Sequence, residues 1–262
     1  MRVMSTSIKS YAARFVLLGA VGAMTACSPA PPATGINDPW EASNRRMHAF
    51  NKSVDRNILG PAGGSYVTVL PEPVVTTVGN FAGNLATPSV VVNNVLQADA
   101  RGAFTNSFRF VLNTTLGMGG LFDVATMAGI NEVETDFGET LHVWGAGEGN
   151  YVELPVLGPS TERDAVGRIV DLFTNPLGYV LSEPEKYAGP VASVAKRLGD
   201  RGRYSQTVGS VLHESADSYA QGRSTYLQNR RYQLGGGAAA TGDPYDDPYA
   251  ATGDPYDDPY LQ

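Results

Sequence analysis

Asp38-Pro39-Trp40-Glu41-Ala42-Ser43-Asn44-Arg45 begins the folded part of this chain abruptly. Asp38 is placed to cap a helix, Pro39 suits its first position, and Glu41, three residues after Asp38, completes a capping box. Trp40, Met47, Phe50, Val54 and Ile58 follow at helical spacing. That spacing predicts an amphipathic helix running to a stop at Gly60-Pro61. Leu70-Pro71-Glu72-Pro73 opens a second helix, with Val74, Val78, Phe81 and Leu85 on one face. Thr87-Pro88 caps a third, through Val92 and Leu96, and a fourth spans about 98 to 116 with Phe104, Phe108, Val111 and Thr115 in line.

Gly117-Met118-Gly119-Gly120 stops the fourth helix, and a short helix from Leu121 to Met127 follows. Glycines crowd residues 131–157, where Leu141-His142-Val143-Trp144 and Tyr151-Val152-Glu153-Leu154 read as extended, so loops with a hairpin are expected. Helices resume after Gly158-Pro159-Ser160. Thr161 and Asp164 fit a capping box, and Val166, Ile169, Val170 and Phe173 form a face. Two further helices are predicted, over Pro184 to Leu198 and Ser205 to Tyr232. On pattern alone such apolar faces fit a soluble core. The alternative is a set of helices lying in one membrane leaflet.

Working outward to the N-terminus, Ser28 to Asn37 is a Pro/Ala-rich leash. Before it stands Cys27, the single cysteine, ending Met24-Thr25-Ala26-Cys27. Arg2, Lys9 and Arg14 precede an apolar run from Phe15 to Ala23. A basic start, a short apolar centre and small residues at a cleavage point make a secretory signal peptide. A cysteine directly after that point is the pattern of a bacterial lipoprotein signal. Residues 1–26 are therefore expected to be removed and Cys27 to carry acyl chains. The apolar run is shorter than the ~20 residues a span needs. Each buried methylene contributes about 0.8 kcal/mol, so several chains make a permanent anchor.

At the other end, Gly235-Gly236-Gly237 leads into Ala-Thr-Gly-Asp-Pro-Tyr-Asp-Asp-Pro-Tyr, present twice at 240–249 and 251–260. Its prolines and aspartates leave nothing to bury, so a disordered tail from 233 to 262 is expected. The formal charge is −7, and cleavage would remove three basic residues and no acidic ones. An acidic chain is not expected to hold nucleic acid by neutralising phosphates. With Cys27 acylated, neither a disulfide nor a thiolate metal site is available, and three scattered histidines offer no ligand cluster. His213-Glu214-Ser215-Ala216-Asp217 begins like a zinc-protease helix, but Asp217 occupies the place of the second histidine. No nucleophile elbow or dinucleotide fingerprint is present. No catalytic residue, metal or cofactor is expected beyond the covalent lipid.

Several stretches together resemble the MlaA (VacJ) lipoproteins. They are Asp38 to Arg45 with Phe50-Asn51, Asn80 to Leu85, and the long run Arg109 to Asp123 through Leu116-Gly117-Met118-Gly119-Gly120. Asp136-Phe137-Gly138-Glu139-Thr140-Leu141 and Leu154 to Asp164 continue it. The departures are His142 and Ala98, each where a glycine is usual, Asn150, and the repeat tail. The resemblance covers about 38 to 180 closely and reaches about 232. It implies a mainly α fold: a ring of amphipathic helices lying in the membrane leaflet, with a Gly-rich loop or hairpin insertion. The helical domain would occupy 38–232, behind the lipidated linker 27–37.

The implied function is removal of misplaced phospholipids from the outer leaflet of the outer membrane. They would pass through an amphipathic channel to an MlaC-like periplasmic lipid carrier, with a trimeric outer-membrane porin as partner. Ser28, after the lipidated cysteine, fits a place in the periplasmic leaflet of the outer membrane, because inner-membrane lipoproteins resemble one another in having Asp there. Phe50, Asn51, Leu116, Gly117, Met118, Gly119, Gly120, Asp136, Phe137 and Gly138 become candidates for the lipid path. The other reading is a structural envelope lipoprotein with an ordinary helical core and a polymer-binding tail. For the anchor the expectation is direct. Cys27→Ser should leave uncleaved precursor that no longer fractionates with the outer membrane, as seen by immunoblot of separated membranes; a matured, membrane-bound variant would refute it.

Overall fold

The computed structural model describes residues 36 to 236. Cys27, the signal peptide and the repeat tail lie outside them. The described chain is mainly α with one two-stranded hairpin, as expected. Helix α1 (Glu41–Val54) runs through a π-helical turn (Asp55–Leu59) directly into α2 (Gly60–Val69). Helix α3 (Glu72–Leu96) and α4 (Ala100–Thr115) form an antiparallel pair. A short α5 (Val124–Met127) and α6 (Phe137–Val143) lead to β1 (Tyr151–Leu154) and β2 (Gly158–Thr161). Then come α7 (Glu162–Thr174), α8 (Leu177–Val180), a 3-10 turn (Glu185–Tyr187) and α9 (Ala188–Arg203). The described part closes with α10 (Ser205–Gly209), a π turn (Ser210–Glu214), α11 (Ser218–Arg231) and a last π turn (Tyr232–Gly236).

The structure corrects several expectations from the sequence. Gly60-Pro61 does not stop the first helix. In the π turn the Gly60 N–H reaches back to the Asp55 carbonyl, and Pro61 falls in the first turn of α2, where its missing N–H is not needed. Asp38 caps nothing. It takes the Asn44 amide at 2.9 Å and also accepts from the Tyr219 hydroxyl and Arg223 of α11. Thr87-Pro88 does not open a separate helix, because α3 continues through Pro88. Both halves are held from outside the helix, Asn84 by Thr114 at 3.0 Å and Asn93 by Asp171 at 3.0 Å. Leu141 to Val143 are helical rather than extended, because Asp136 caps α6 by accepting from the Glu139 N–H at 2.8 Å. The hairpin partner of β1 is therefore β2, paired antiparallel with Tyr151 opposite Thr161. The last predicted helix is broken at extended Ser215, and Asp217 caps a new start by accepting from Ala220.

The most consequential difference is the direction of the faces. On α4 the apolar residues Phe104, Phe108 and Val111 point outward, Phe104 being 74% exposed. The buried face is Gly102, Asn106, Arg109 and Asn113. On α1 the buried residues are Asn44 and His48, while Phe50 is exposed. On α7, Ile169, Leu172 and Phe173 are exposed, Leu172 by 77%, while Arg163 and Asp164 are buried. Among the described residues buried polar side chains outnumber buried apolar ones. In a water-soluble core the order is the reverse.

Ala98 links α3 to α4 with a φ of 59°, a backbone region that costs an alanine about 1–2 kcal/mol. That explains why a glycine is usual there. Ala98→Gly should stabilise the fold by about 0.5–1 kcal/mol, once the larger unfolded-chain entropy of glycine is subtracted. Thermal unfolding in detergent would read this as a raised midpoint; a lowered one would contradict the assignment.

Candidate functional site

The inward polar faces meet in hydrogen-bonded ladders. Asn106, fully buried, donates to the Asn94 side-chain oxygen at 2.8 Å and to the Val133 carbonyl at 2.9 Å, and accepts from the Val133 N–H. Asn113 donates to Asp123 at 2.9 Å and accepts from the Ala125 N–H. Arg109 pairs with Asp123 at 3.1 Å and also donates to the Ile130 carbonyl. A buried amide without partners would cost about 1–3 kcal/mol. The pairing is what makes this interior tolerable.

A second polar centre ties the C-terminal helix to the rest. Arg230 of α11 donates to Asp136 at 2.6 Å and to Asp164 at 3.2 Å. Tyr226 donates to Asp164 at 2.6 Å. Burial by itself would raise the Asp164 carboxyl, but the Tyr226 hydroxyl and the Arg230 charge outweigh it and hold it below the usual range. The approach of α6 to α7 depends on glycines: a Cβ on Gly138 would lie 2.6 Å from the Asp164 carboxylate, and one on Gly167 would strike the Gly138 backbone.

Between α3, α7, α8, α9 and the β1–β2 turn lies an open cavity of about 1270 Å³. Its wall is of two kinds. Leu85, Val90, Leu157, Ile169 and Val194 supply apolar surface, and Ser89, Asn93, Arg168, Asp171 and Arg197 supply polar groups. Asp171 is set into the wall. Its oxygens accept from Asn93 at 3.0 Å, from Thr174 at 3.4 Å and from the Phe137 N–H at 3.1 Å. Burial pushes its carboxyl upward, against those hydrogen bonds.

None of the lipid-path candidates named from the sequence stands on this wall, although Leu85 and Ile169 of the predicted apolar faces do. Asn51 braces it from behind, donating to the Leu154 carbonyl at 2.9 Å and accepting from the Val156 N–H at 2.7 Å, so it fixes the turn whose residues do line the cavity. Phe50, beside it, faces outward. Asp136, Phe137 and Gly138 form the start of α6, one bond from Asp171. Leu116 and Met118 are exposed, and Gly117, Gly119 and Gly120 shape the turn after α4, where Met118, Gly119 and Gly120 have positive φ. Asn84 of α3 donates to the Gly119 carbonyl at 3.3 Å and so pins that turn. The polar wall residues carry no motif in the sequence: they share their helix faces with apolar ones, Ser89 with Leu85 and Arg197 with Val194, so no purely polar stripe marks the cavity. His213 sits at 2.8 Å from Asp55, in a cluster with Arg201, and not in a zinc site.

A sequence model of the family described as MlaA lipoprotein matches residues 36–233. This chain belongs to the MlaA lipoprotein family. It is similar to the intermembrane phospholipid transport system lipoprotein MlaA of Escherichia coli strain K12, with 35% identity over 223 residues, 82% of this chain and 84% of the relative. The protein of the same name from Haemophilus influenzae is 30% identical over 206 residues, 77% and 80% of the two chains. A solved structure from work on the structural basis for maintenance of bacterial outer membrane lipid asymmetry superposes with a TM-score of 0.65 at 34% identity. It covers 75% of this chain and 98% of its own. The stretches Asp136-Phe137-Gly138 and Arg163-Asp164, both within the matched residues, are the two sides of the Arg230 centre described above.

That centre has a measurable signature. Asp164→Asn leaves the buried Arg163 without its carboxylate and Arg230 with Asp136 alone, and should cost about 3 kcal/mol at pH 7. Because the Asp164 pKa is depressed in the fold, its contribution is complete above the unfolded value and is lost as the pH falls through the folded one. The stability gap between variant and parent should therefore narrow below about pH 4. Chemical unfolding at a series of pH values would show it, and a gap independent of pH would refute the assignment.

Proposed function

We propose that this chain is an outer-membrane lipoprotein, held in the periplasmic leaflet by acylated Cys27, that gives phospholipids a route out of the outer leaflet. The cavity between α3, α7, α8 and α9 is the conduit, and the lipids leave it for a soluble carrier of the MlaC kind. A trimeric porin is the expected neighbour. The outcome is maintenance of lipid asymmetry.

The observation that carries this reading is the reversed polarity of the helices. Moving a phospholipid across the apolar layer is opposed by desolvation of its charged head. A cavity with polar groups on one side removes that cost, while its apolar side accepts acyl chains. The outward Phe104, Phe108 and Phe173, exposed and not on the cavity wall, are what a surrounding leaflet requires. No described helix is long and apolar enough to cross a membrane, which agrees with helices lying in a leaflet. The names of the relatives point the same way. A structural lipoprotein with an ordinary core is disfavoured, because it would bury the apolar stripes and expose the asparagines.

Filling the cavity tests the conduit without touching the polar ladders. Gly189 of α9 lies on the wall, with Leu85 3.9 Å from where a Cβ would stand. Gly189→Trp should leave protein abundance unchanged and raise surface-exposed phospholipid toward the level of a deletion strain, measured by labelling intact cells. Wild-type lipid balance at normal abundance would remove this cavity from the path.

A further inference from the structure

The cavity's charged groups are not balanced. Arg168, Lys186 and Arg197 are on its wall against one carboxylate, Asp171. Asp171 is committed to Asn93, Thr174 and the Phe137 N–H, so it is not free to meet a ligand cation. Lys186 is already paired with Glu183. Arg168 donates one bond, to the Pro159 carbonyl at 3.2 Å, which fixes the guanidinium against the β1–β2 hairpin and leaves its other donors unassigned. Arg197, on α9, meets no hydrogen-bond acceptor or carboxylate among the described residues. Two guanidiniums with donors to spare thus share one amphipathic cavity in a chain whose formal charge is −7.

We infer that Arg168 and Arg197 form a head-group station in the cavity that favours phospholipids of net negative charge over zwitterionic ones. The inference rests on the conduit reading above. Guanidiniums match a phosphodiester through paired, planar donors. The selection arises at the rest of the head group. An ammonium beside the phosphate would be repelled by the two arginines and would find no free carboxylate to replace its hydration. A glycerol head adds only hydroxyls. Specificity is then the difference between an attraction common to all phospholipids and a repulsion felt by one class. That repulsion acts between partly hydrated charges and is weak, so the preference should be about threefold to fivefold.

The test loads the full-length protein, purified in detergent, with equal amounts of phosphatidylglycerol and phosphatidylethanolamine, and weighs the retained lipid by mass spectrometry. The wild type should retain phosphatidylglycerol over phosphatidylethanolamine by about threefold to fivefold. Arg168→Gln/Arg197→Gln should retain the two near parity with total lipid largely kept, and Arg168→Lys/Arg197→Lys should keep the preference. Inorganic phosphate alone should give no saturable heat on titration, since acyl chains hold the ligand in place. Saturable phosphate binding would make this a free-anion site and overturn the assignment to lipid. A wild type that retains the lipids as supplied, or a glutamine variant that keeps the preference, overturns the head-group station while leaving the conduit standing. A wild type that retains no lipid overturns the conduit reading and this inference with it.

Discussion

Hydrogen bonding between buried asparagines and carboxylates is the constraint on which the rest of this structure depends. Asn93 on Asp171 joins helices that are far apart in sequence, and Asn113 on Asp123 and the amide pair Asn106–Asn94 tie consecutive elements together. In water such contacts contribute about 0.5–1.5 kcal/mol each, and apolar packing would normally outweigh them. Among acyl chains the comparison changes. Lipid tails are as apolar as leucine, so helix faces gain little by burying leucines against one another. Polar pairing and close backbone approach then decide which helices meet. Asn84 gripping the turn after α4, and Gly138 lying against Gly167, are the two forms this takes here.

From that constraint the placement of the cavity follows. Polar stripes turned inward leave each helix with polar groups beyond those needed for its neighbours. Where α3, α7 and α9 diverge, the surplus faces open space, as Ser89, Arg168 and Arg197. The β1–β2 hairpin closes one side, held by Asn51 and Asn44 of α1, the latter taking the Glu153 N–H at 3.0 Å. Among the described residues a small apolar cluster of buried residues, Tyr151 with Tyr219 and Leu227, lies where the hairpin meets α11. The N- and C-terminal segments are joined there too, through Asp38 to Arg223 and Arg45 to Asp217. Arg45 draws the Asp217 carboxyl down to about 2, though that pair is exposed to solvent and contributes geometry more than energy.

Much of the fold was legible in the sequence. The helix at 162–174 stood where its spacing and its Thr161 cap put it, spacing alone placed those that begin at Glu41 and Glu72, and Tyr151 to Leu154 was a strand. Two things were not legible from local chemistry. Breakers were over-weighted: Gly60-Pro61 and Thr87-Pro88 lie within continuous or joined helices, because a π turn and contacts from outside the helix make up for the proline. The direction of each amphipathic face was the deeper limit. A period of 3.6 identifies two faces and not which of them is inside. Phe104, Phe108 and Val111 suggested a core, while Gly102, Asn106, Arg109 and Asn113 carried the same period and are the buried set. Of the site, the motifs led to the braces of the cavity, Asn51 and Asp136-Phe137, and not to its wall. The stretches that carry the resemblance hold polar ties such as Asn51 and Asp136, whereas wall residues such as Arg168 stand outside them.

The central claim is that the protein is apolar outside and wet inside. Spin labels introduced singly at Phe104, Val111 and Phe173, and at Ser89 and Ser193 in the cavity, would test it in a Cys27-anchored protein reconstituted in lipid. Relaxation by oxygen, which partitions into acyl chains, is compared with relaxation by a water-soluble nickel chelate. The outer positions should respond to oxygen and resist nickel, and the cavity positions should respond to nickel. Nickel-accessible labels at Phe104 and Phe173, with nickel-protected labels at Ser89 and Ser193, would contradict the account.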